Sequence, residues 1–252
     1  MSSRKVALIT GASSGIGRAT AVELAGQGWD LALGARRLNR LEALRGQLEP
    51  LGSKVFCGAM DLTDMSSVDR FMDTCFASMG SVDLLILNAG MAVPRALSDT
   101  DNEVLRAIFD TNLFGPIRLC QLAIRRWARS GVYGDLFFVS SEQARTELPH
   151  LVHYGASKAA FEFVARGLRR ELVGTGSRVM VMQAGATDTE FRTHFDPQDV
   201  RTMLAAWENA GIPKPLGRRL TPECVARSIS YAVNAPHHVL HDRIDVLPHF
   251  VA

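Results

Sequence analysis

The chain has 252 residues, 47% hydrophobic and 21% charged, with a formal net charge of +2. That apolar content excludes intrinsic disorder, and burial of roughly 70% of the unfolded surface at this size requires neither metal nor disulfide staples. The near-neutral balance gives no general drive towards nucleic acid or an anionic membrane, and no stretch approaches the roughly 18 uninterrupted apolar residues of a membrane span.

Met1-Ser2-Ser3-Arg4-Lys5 leads straight into an apolar run too short for a signal-peptide core, so the expected location is cytoplasmic. Strand-like runs occur at Val6–Thr10, Leu31–Ala35, Val55–Ala59, Leu84–Leu87, Leu136–Ser140, Val179–Gln183 and Ile244–Leu247. Most are continuously apolar, the pattern of strands buried on both faces. Helical patterns lie between them, at 16–27, 38–49, 65–79, 102–129, 154–173 and 222–234. This alternation predicts an α/β fold: a doubly wound parallel sheet of about seven strands, joined by right-handed crossovers and covered by helices on both faces. No Pro-, Gly- or Ser-rich linker divides the series, so residues 1–252 are expected to form a single domain. Cys57, Cys75, Cys120 and Cys224 show no ligand or CxxC spacing and read as reduced, mostly buried thiols.

The rhythm breaks between Glu190 and Leu220. Pro197, Pro213 and Pro215 stand there among the isolated large residues Phe191, Phe195 and Trp207. Ligands of open α/β sheets bind outside the carboxyl ends of the strands, so this excursion is expected to form a lid.

The first strand ends in Thr10-Gly11-Ala12-Ser13-Ser14-Gly15-Ile16-Gly17, directly before a helix. A strand–glycine turn–helix unit aims unpaired N–H groups and the positive end of the helix dipole at one point, where a pyrophosphate fits. Gly11 suits the tight turn, Gly15 admits the ligand to the backbone, and Gly17 lets helix pack on strand, while Ser13, Ser14 and Ile16 complete the expected cofactor loop. The second strand ends in Gly34-Ala35-Arg36-Arg37. Ala35 stands where an acid would take a ribose 2′-hydroxyl, and Arg36 offers a guanidinium to a 2′-phosphate, which favours NADP(H) over NAD(H). The alternative is that Arg36 and Arg37 only begin a solvated helix face.

Tyr154 and Lys158, four residues apart, share a helix face, about 40° apart around the axis and about 6 Å along it. An ammonium beside a phenol favours the phenolate and so draws its pKa down from about 10. Ser141, at the end of the fifth strand, can donate to a carbonyl oxygen as charge develops on it.

With these residues in order, the chain resembles the classical short-chain dehydrogenases/reductases along essentially its whole length. The match runs through Thr10–Gly17, Asp61-Leu62, Asn88-Ala89-Gly90, Asn112, Ser140-Ser141 and Tyr154-Gly155-Ala156-Ser157-Lys158. The resemblance implies a Rossmann-type fold and a catalytic tetrad of Asn112, Ser141, Tyr154 and Lys158. It also implies that Asp61 and Leu62 hold the adenine, that Asn88 with Ala89 and Gly90 borders the cofactor, and that Lys158 holds the nicotinamide ribose. Asn112 would position a water that carries the proton outward. A homodimer or homotetramer is implied as well, paired through the helices at 102–129 and 154–173.

After the sixth strand the family has Pro-Gly; here Ala184 precedes Gly185, with Thr187 and Thr189 following. The Thr187 backbone and the Thr189 side chain are expected to take the carboxamide, with Gly185 also at the cofactor, and the lost proline is expected to loosen the turn slightly. Gln143 is the candidate for polar substrate contact, beside Ser141 and Tyr154. Met91, Val93, Phe191, Phe195 and Trp207 are candidates for an apolar wall, or for ordinary packing. His150 and His153 read as solvent-facing loop residues or substrate contacts.

The function these readings imply is hydride exchange between NADP(H) and a small carbonyl or secondary alcohol, with Tyr154 as general acid/base and no nucleic-acid or membrane partner. A dinucleotide-binding regulatory or scaffold protein with little turnover is the alternative.

Overall fold

In the computed structural model, which describes residues 4–212 and 219–249, all the expected strands join one parallel sheet. These are β1 (Val6–Thr10), β2 (Asp30–Ala35), β3 (Val55–Ala59), β4 (Leu84–Leu87), β5 (Asp135–Ser141), β6 (Val179–Ala184) and β7 (Arg243–Val246). Their order is β3-β2-β1-β4-β5-β6-β7. The chain winds outward from β1 in one direction and from β4 in the other, so loops diverge between those strands and leave a crevice at their carboxyl ends.

Successive side chains of a strand point to opposite faces, and the core divides accordingly. Ala7 and Ile9 of β1 pack with Leu24 of α1 (Gly15–Gly26), Leu41 and Leu44 of α2 (Leu38–Leu48) and Ile229 of α8 (Pro222–Val233). Leu8, between them in sequence, faces the other layer with Phe71 of α3 (Met65–Met79), Leu119 of α5 (Gly115–Ser130) and Phe161 of α6 (Val152–Glu171).

Two expectations need correction. The pattern at 102–129 is not one helix: α4 (Asn102–Phe109) passes into a π-helical turn at Asp110–Phe114, and α5 begins after it. Pro116 is the reason. It lacks an N–H and its ring crowds the carbonyl of residue 112, so a regular helix cannot run through.

The lid, to which the sequence pattern assigns no helix, is partly helical. It contains α7 (Pro197–Asn209), whose first turn is capped by Asp196 accepting from the Gln198 and Asp199 N–H groups at 2.7 and 3.3 Å. Proline at a first helical position starts a helix rather than ending one, so Pro197 was the signal for α7. The lid is tied down by Trp207 Nε1, which donates to the Pro149 carbonyl at 2.8 Å, and by an Arg95–Asp199 ion pair at 2.8 Å. Pro213 and Pro215 lie outside the described residues.

Candidate active site

A cavity of about 810 Å³ opens at the carboxyl ends of β1, β2, β4, β5 and β6 and runs under the lid. That volume is ample for a small-molecule site. Gly11, Ser13, Ser14, Gly15, Ile16, Arg36, Asp61, Leu62, Asn88, Ala89, Gly90, Ser141, Gln143, Tyr154, Lys158, Gly185, Thr187 and Thr189 all line it. Of the expected site residues, Gly17 and Asn112 lie behind this lining.

The glycine turn is shaped by its neighbours. Gly11 and Gly15 hold left-handed φ values of +67° and +54°. A Cβ on Gly17 would stand 2.6 Å from both Asn88 Nδ2 and the Gly11 carbonyl oxygen, so only hydrogen permits this approach of α1 to the sheet. Asn88 Nδ2 donates to the Thr10 carbonyl at 2.9 Å, and Thr10 Oγ1 accepts from the Asn88 and Ala89 N–H groups at 2.9 Å each. These bonds lock the ends of β1 and β4 together. A cradle that side chains would fill, at the N-terminus of a helix, fits a dinucleotide pyrophosphate.

Beyond β2, Arg36 is exposed and borders the cavity. Arg37 does more than begin a helix face: it donates to the Ser13 and Ser14 hydroxyls at 3.1 and 2.8 Å and pairs with Glu190 of the lid at 2.8 Å. Just past the end of β3, Asp61 Oδ1 accepts from both the Thr63 N–H and the Thr63 hydroxyl, which fixes the carboxylate at the rim.

At the other end, Ser141, Tyr154 and Lys158 are all buried. Burial pushes the Tyr154 phenol up to about 12, although a hydrogen bond with Ser141 and the charge of Arg192 act downward. Lysine is therefore not what governs this phenol in the protein alone. Lys158 Nζ turns to the Val139 carbonyl at 3.1 Å and lies over the Phe161 ring, and burial lowers it to about 8. The expectation of an acidified phenol misjudged desolvation, which outweighs charge at a fully buried site.

Asn112 sits in the π-helical turn, where its Oδ1 accepts from the Met91 N–H at 2.8 Å and its Nδ2 donates to the Met91 carbonyl and the Ser157 hydroxyl at 2.9 Å. It braces the floor of the site. Gly90 runs between: a Cβ there would lie 3.4 Å from Asn112 Oδ1 and 3.5 Å from Lys158 Nζ.

Ala184 extends β6 by one residue, in register with Ser141 of β5 and Val246 of β7, and Gly185 N–H donates to the Val246 carbonyl at 2.9 Å. Ladder bonds on both sides replace the restriction that proline would impose.

Over the phenol, Tyr154, Ala92, Leu151, Met203 and Trp207 form a separate apolar cluster, joined by Phe191 and Phe195. The Phe191 ring lies 5.7 Å from that of Tyr154. Met91, Phe191, Phe195 and Trp207 line the cavity as expected, whereas Val93 does not: its carbonyl oxygen meets Nε2 of His153 at 2.8 Å. His153 is accordingly buried, not solvent-facing, and burial lowers its pKa. Gln143 Oε1 is buried with no hydrogen-bond partner among the described residues.

Residues 5–199 match the family model for short chain dehydrogenases. The chain belongs to the short-chain dehydrogenase/reductase family. It is thus an oxidoreductase of that type, in keeping with its sheet order and crevice. A glycine betaine reductase of Emericella nidulans is 35% identical over 98% of this chain, although the chain spans only 19% of that relative's length. A sulfoacetaldehyde reductase of Chromohalobacter salexigens is 32% identical over 95% of this chain and 92% of its own. The structure of an alcohol dehydrogenase from the archaeon Thermococcus sibiricus, complexed with 5-hydroxy-NADP, superposes with a TM-score of 0.81 at 28% identity, over 97% of this chain and 96% of that one. Among the described residues no helix is long and apolar enough to cross a membrane.

Several lining residues of this short-chain dehydrogenase/reductase escaped the sequence reading: Leu151, Met203, Leu204, Arg192, His194 and Arg219. The amphipathic spacing of α7 would have found Met203 and Leu204. No local pattern marks Arg192.

Proposed function

We propose that the protein interconverts a carbonyl and a secondary alcohol, using NADP(H) in preference to NAD(H), with Tyr154 as the general acid/base. The observation that carries this reading is the buried Tyr154 phenol, lining with Ser141 one end of a cavity whose other end is the glycine cradle. When bound, the nicotinamide supplies or accepts the hydride.

In the reductive direction, Ser141 Oγ donates to the substrate oxygen and Tyr154 delivers its proton there; oxidation runs the same steps backwards. A phenol pushed up to about 12 is fully protonated at neutral pH and so is ready to donate. Lys158 holds the ribose, Asn112 braces Met91 and Ser157 beneath the site, and Thr187 and Thr189 flank the carboxamide. Arg36 takes the 2′-phosphate. The Thermococcus sibiricus relative, complexed with 5-hydroxy-NADP, supports that choice. The rival reading, a binder without turnover, drew its one support from Ala184, which the ladder holds in place.

Turnover is tested by following NADPH absorbance over a panel of ketones. Tyr154→Phe is expected to lower kcat at least ~100-fold, the usual weight of a general acid. Wild-type turnover in that variant defeats the assignment. For the cofactor, Arg36→Asp is expected to shift the kcat/KM ratio towards NADH; an unchanged ratio removes Arg36 from the account.

A further inference from the structure

Proton transfer and dinucleotide binding leave Arg192, a charged group of the cavity, without a role. Arg192 ends the short helical turn Glu190–Arg192 at the base of the lid, is half-buried, and lines the cavity. Its guanidinium is within electrostatic reach of the Tyr154 phenol, the Glu142 carboxyl and the Arg219 guanidinium.

The neighbouring cations have protein partners: Arg37 and Arg40 share Glu190, Arg95 holds Asp199, and Arg219 leans on Asp188 at 3.9 Å. Among the described residues no carboxylate lies within ion-pair distance of Arg192 and none of them hydrogen-bonds its side chain. Glu142, an acid within its electrostatic reach, is itself half-buried, and burial raises its pKa while Arg192 acts against that rise. A guanidinium stripped of part of its water without a matching carboxylate is destabilising in the protein alone, and an anionic ligand offsets that loss.

The position also selects which ligand. Thr189 abuts the glycine turn: a Cβ on Gly15 would meet it at 3.0 Å. Arg192, three residues on, lines the cavity between Phe191 and Phe195, which pack on the Tyr154 cluster, and its carbonyl accepts from the Phe195 N–H at 3.1 Å, so it belongs to the substrate end rather than the pyrophosphate end. Phe191 and Phe195 stand beside it, their rings 6.0 Å apart, and offer apolar surface to a short carbon chain.

We propose that the substrate carries an acid group, a carboxylate or sulfonate, that Arg192 holds while the carbonyl faces Ser141 and Tyr154. The inference rests on the carbonyl–alcohol reading of the same cavity and names the substrate class for it. Planar guanidinium hydrogen-bonds such oxygens through paired donors, which fixes both the position and the orientation of the chain carrying them.

The test compares kcat/KM with NADPH for matched substrates: acetoacetate and levulinate against their methyl esters, and acetonylsulfonate against butanone. The wild type is expected to favour the acids by about 10- to 100-fold, the usual range for a charge-assisted pair, and Arg192→Gln to bring the ratio near unity. Both rates come from one preparation, so any loss of folded enzyme cancels from their ratio. Arg192→Lys is expected to keep part of the preference.

As a readout free of turnover, calorimetric titration is expected to show that butyrate and propanesulfonate bind the wild type and butyramide does not, with the acid uptake lost in Arg192→Gln. Equal use of acids and neutral ketones, or acid preference and uptake unchanged in Arg192→Gln, overturns the inference and leaves the carbonyl reading standing. Acid uptake without turnover of any ketone by either dinucleotide breaks the carbonyl reading instead, and with it the substrate class.

Discussion

Arg37 and Glu190 meet at 2.8 Å although 153 residues separate them, and Arg40 joins the same carboxylate at 2.7 Å. Because Arg37 also bonds the Ser13 and Ser14 hydroxyls, one guanidinium ties the lid to the glycine turn across the mouth of the cavity. Hydrogen bonds from Arg37 and then Arg40 hold the Glu190 carboxyl below its usual range.

If Arg36 takes a 2′-phosphate as proposed, the Glu190 carboxylate held at neighbouring Arg37 opposes it. Removing its charge with Glu190→Gln is expected to lower the KM for NADPH about two- to fivefold and to change the KM for NADH less, an effect of the size of one exposed ion pair. Raising the ionic strength is expected to shrink the difference, because these groups are open to solvent. Equal shifts for both dinucleotides would show that Glu190 acts only through the lid.

Lys158 is held in the folded chain at a cost. An ordinary lysine titrates at 10.5, and burial brings this one to about 8. Between those values the unfolded chain binds the extra proton, so stability contributed by this site rises with pH through the window, and the penalty is fully present below it. The shift corresponds to about 3 kcal/mol. Lys158→Met is accordingly expected to raise Tm at pH 7 by several degrees, to abolish turnover, and to lose its advantage over the wild type as pH approaches ~10. Thermal melts of both proteins across that range check it; a Tm advantage independent of pH would mean that packing, not the buried charge, is responsible.

Asn112 holds three partners at once: the Met91 N–H, the Met91 carbonyl and the Ser157 hydroxyl. Asn112→Ala leaves the Met91 N–H and carbonyl without this partner, while the Ser157 hydroxyl keeps its bond to the Tyr154 carbonyl, and about 1–3 kcal/mol of stability is expected to be lost in chemical denaturation. Because Met91 lines the cavity, kcat is expected to fall as well. Loss of stability without any change in kcat would limit Asn112 to the core.

Gly17 tests the cradle by volume alone. The methyl of Gly17→Ala would meet Asn88 Nδ2 and the Gly11 carbonyl, so α1 must shift away from the turn. Dinucleotide affinity measured by NADPH fluorescence is expected to drop at least ~10-fold, the scale of one well-placed polar contact to the cofactor. Unaltered affinity would place the pyrophosphate elsewhere.

Much of this was legible in the residues themselves. Continuous apolar runs mark β1 and β4 as strands covered on both faces, because only such strands can lack polar positions. The glycines at 11, 15 and 17 and the Tyr154/Lys158 pair are local signals: their meaning depends on backbone freedom and on helix pitch, which neighbours in sequence already determine. Pro116 and Asp196-Pro197 carried equally local signals, for the π-helical turn and for α7, that periodicity alone passed over.

The tertiary structure decided what depends on residues distant along the chain. Whether the phenol or the ammonium shifts, and in which direction, follows from how completely β5, α6 and the lid exclude water, a sum over many packed atoms that no spacing encodes. The same holds for the Arg37–Glu190 tie and for Arg192 in the cavity wall: charge interactions act through space and are set by desolvation, so local residue patterns specify the strands, the glycine turn and the Tyr154/Lys158 spacing, and folding selects which charges are buried, which are paired, and which face the cavity.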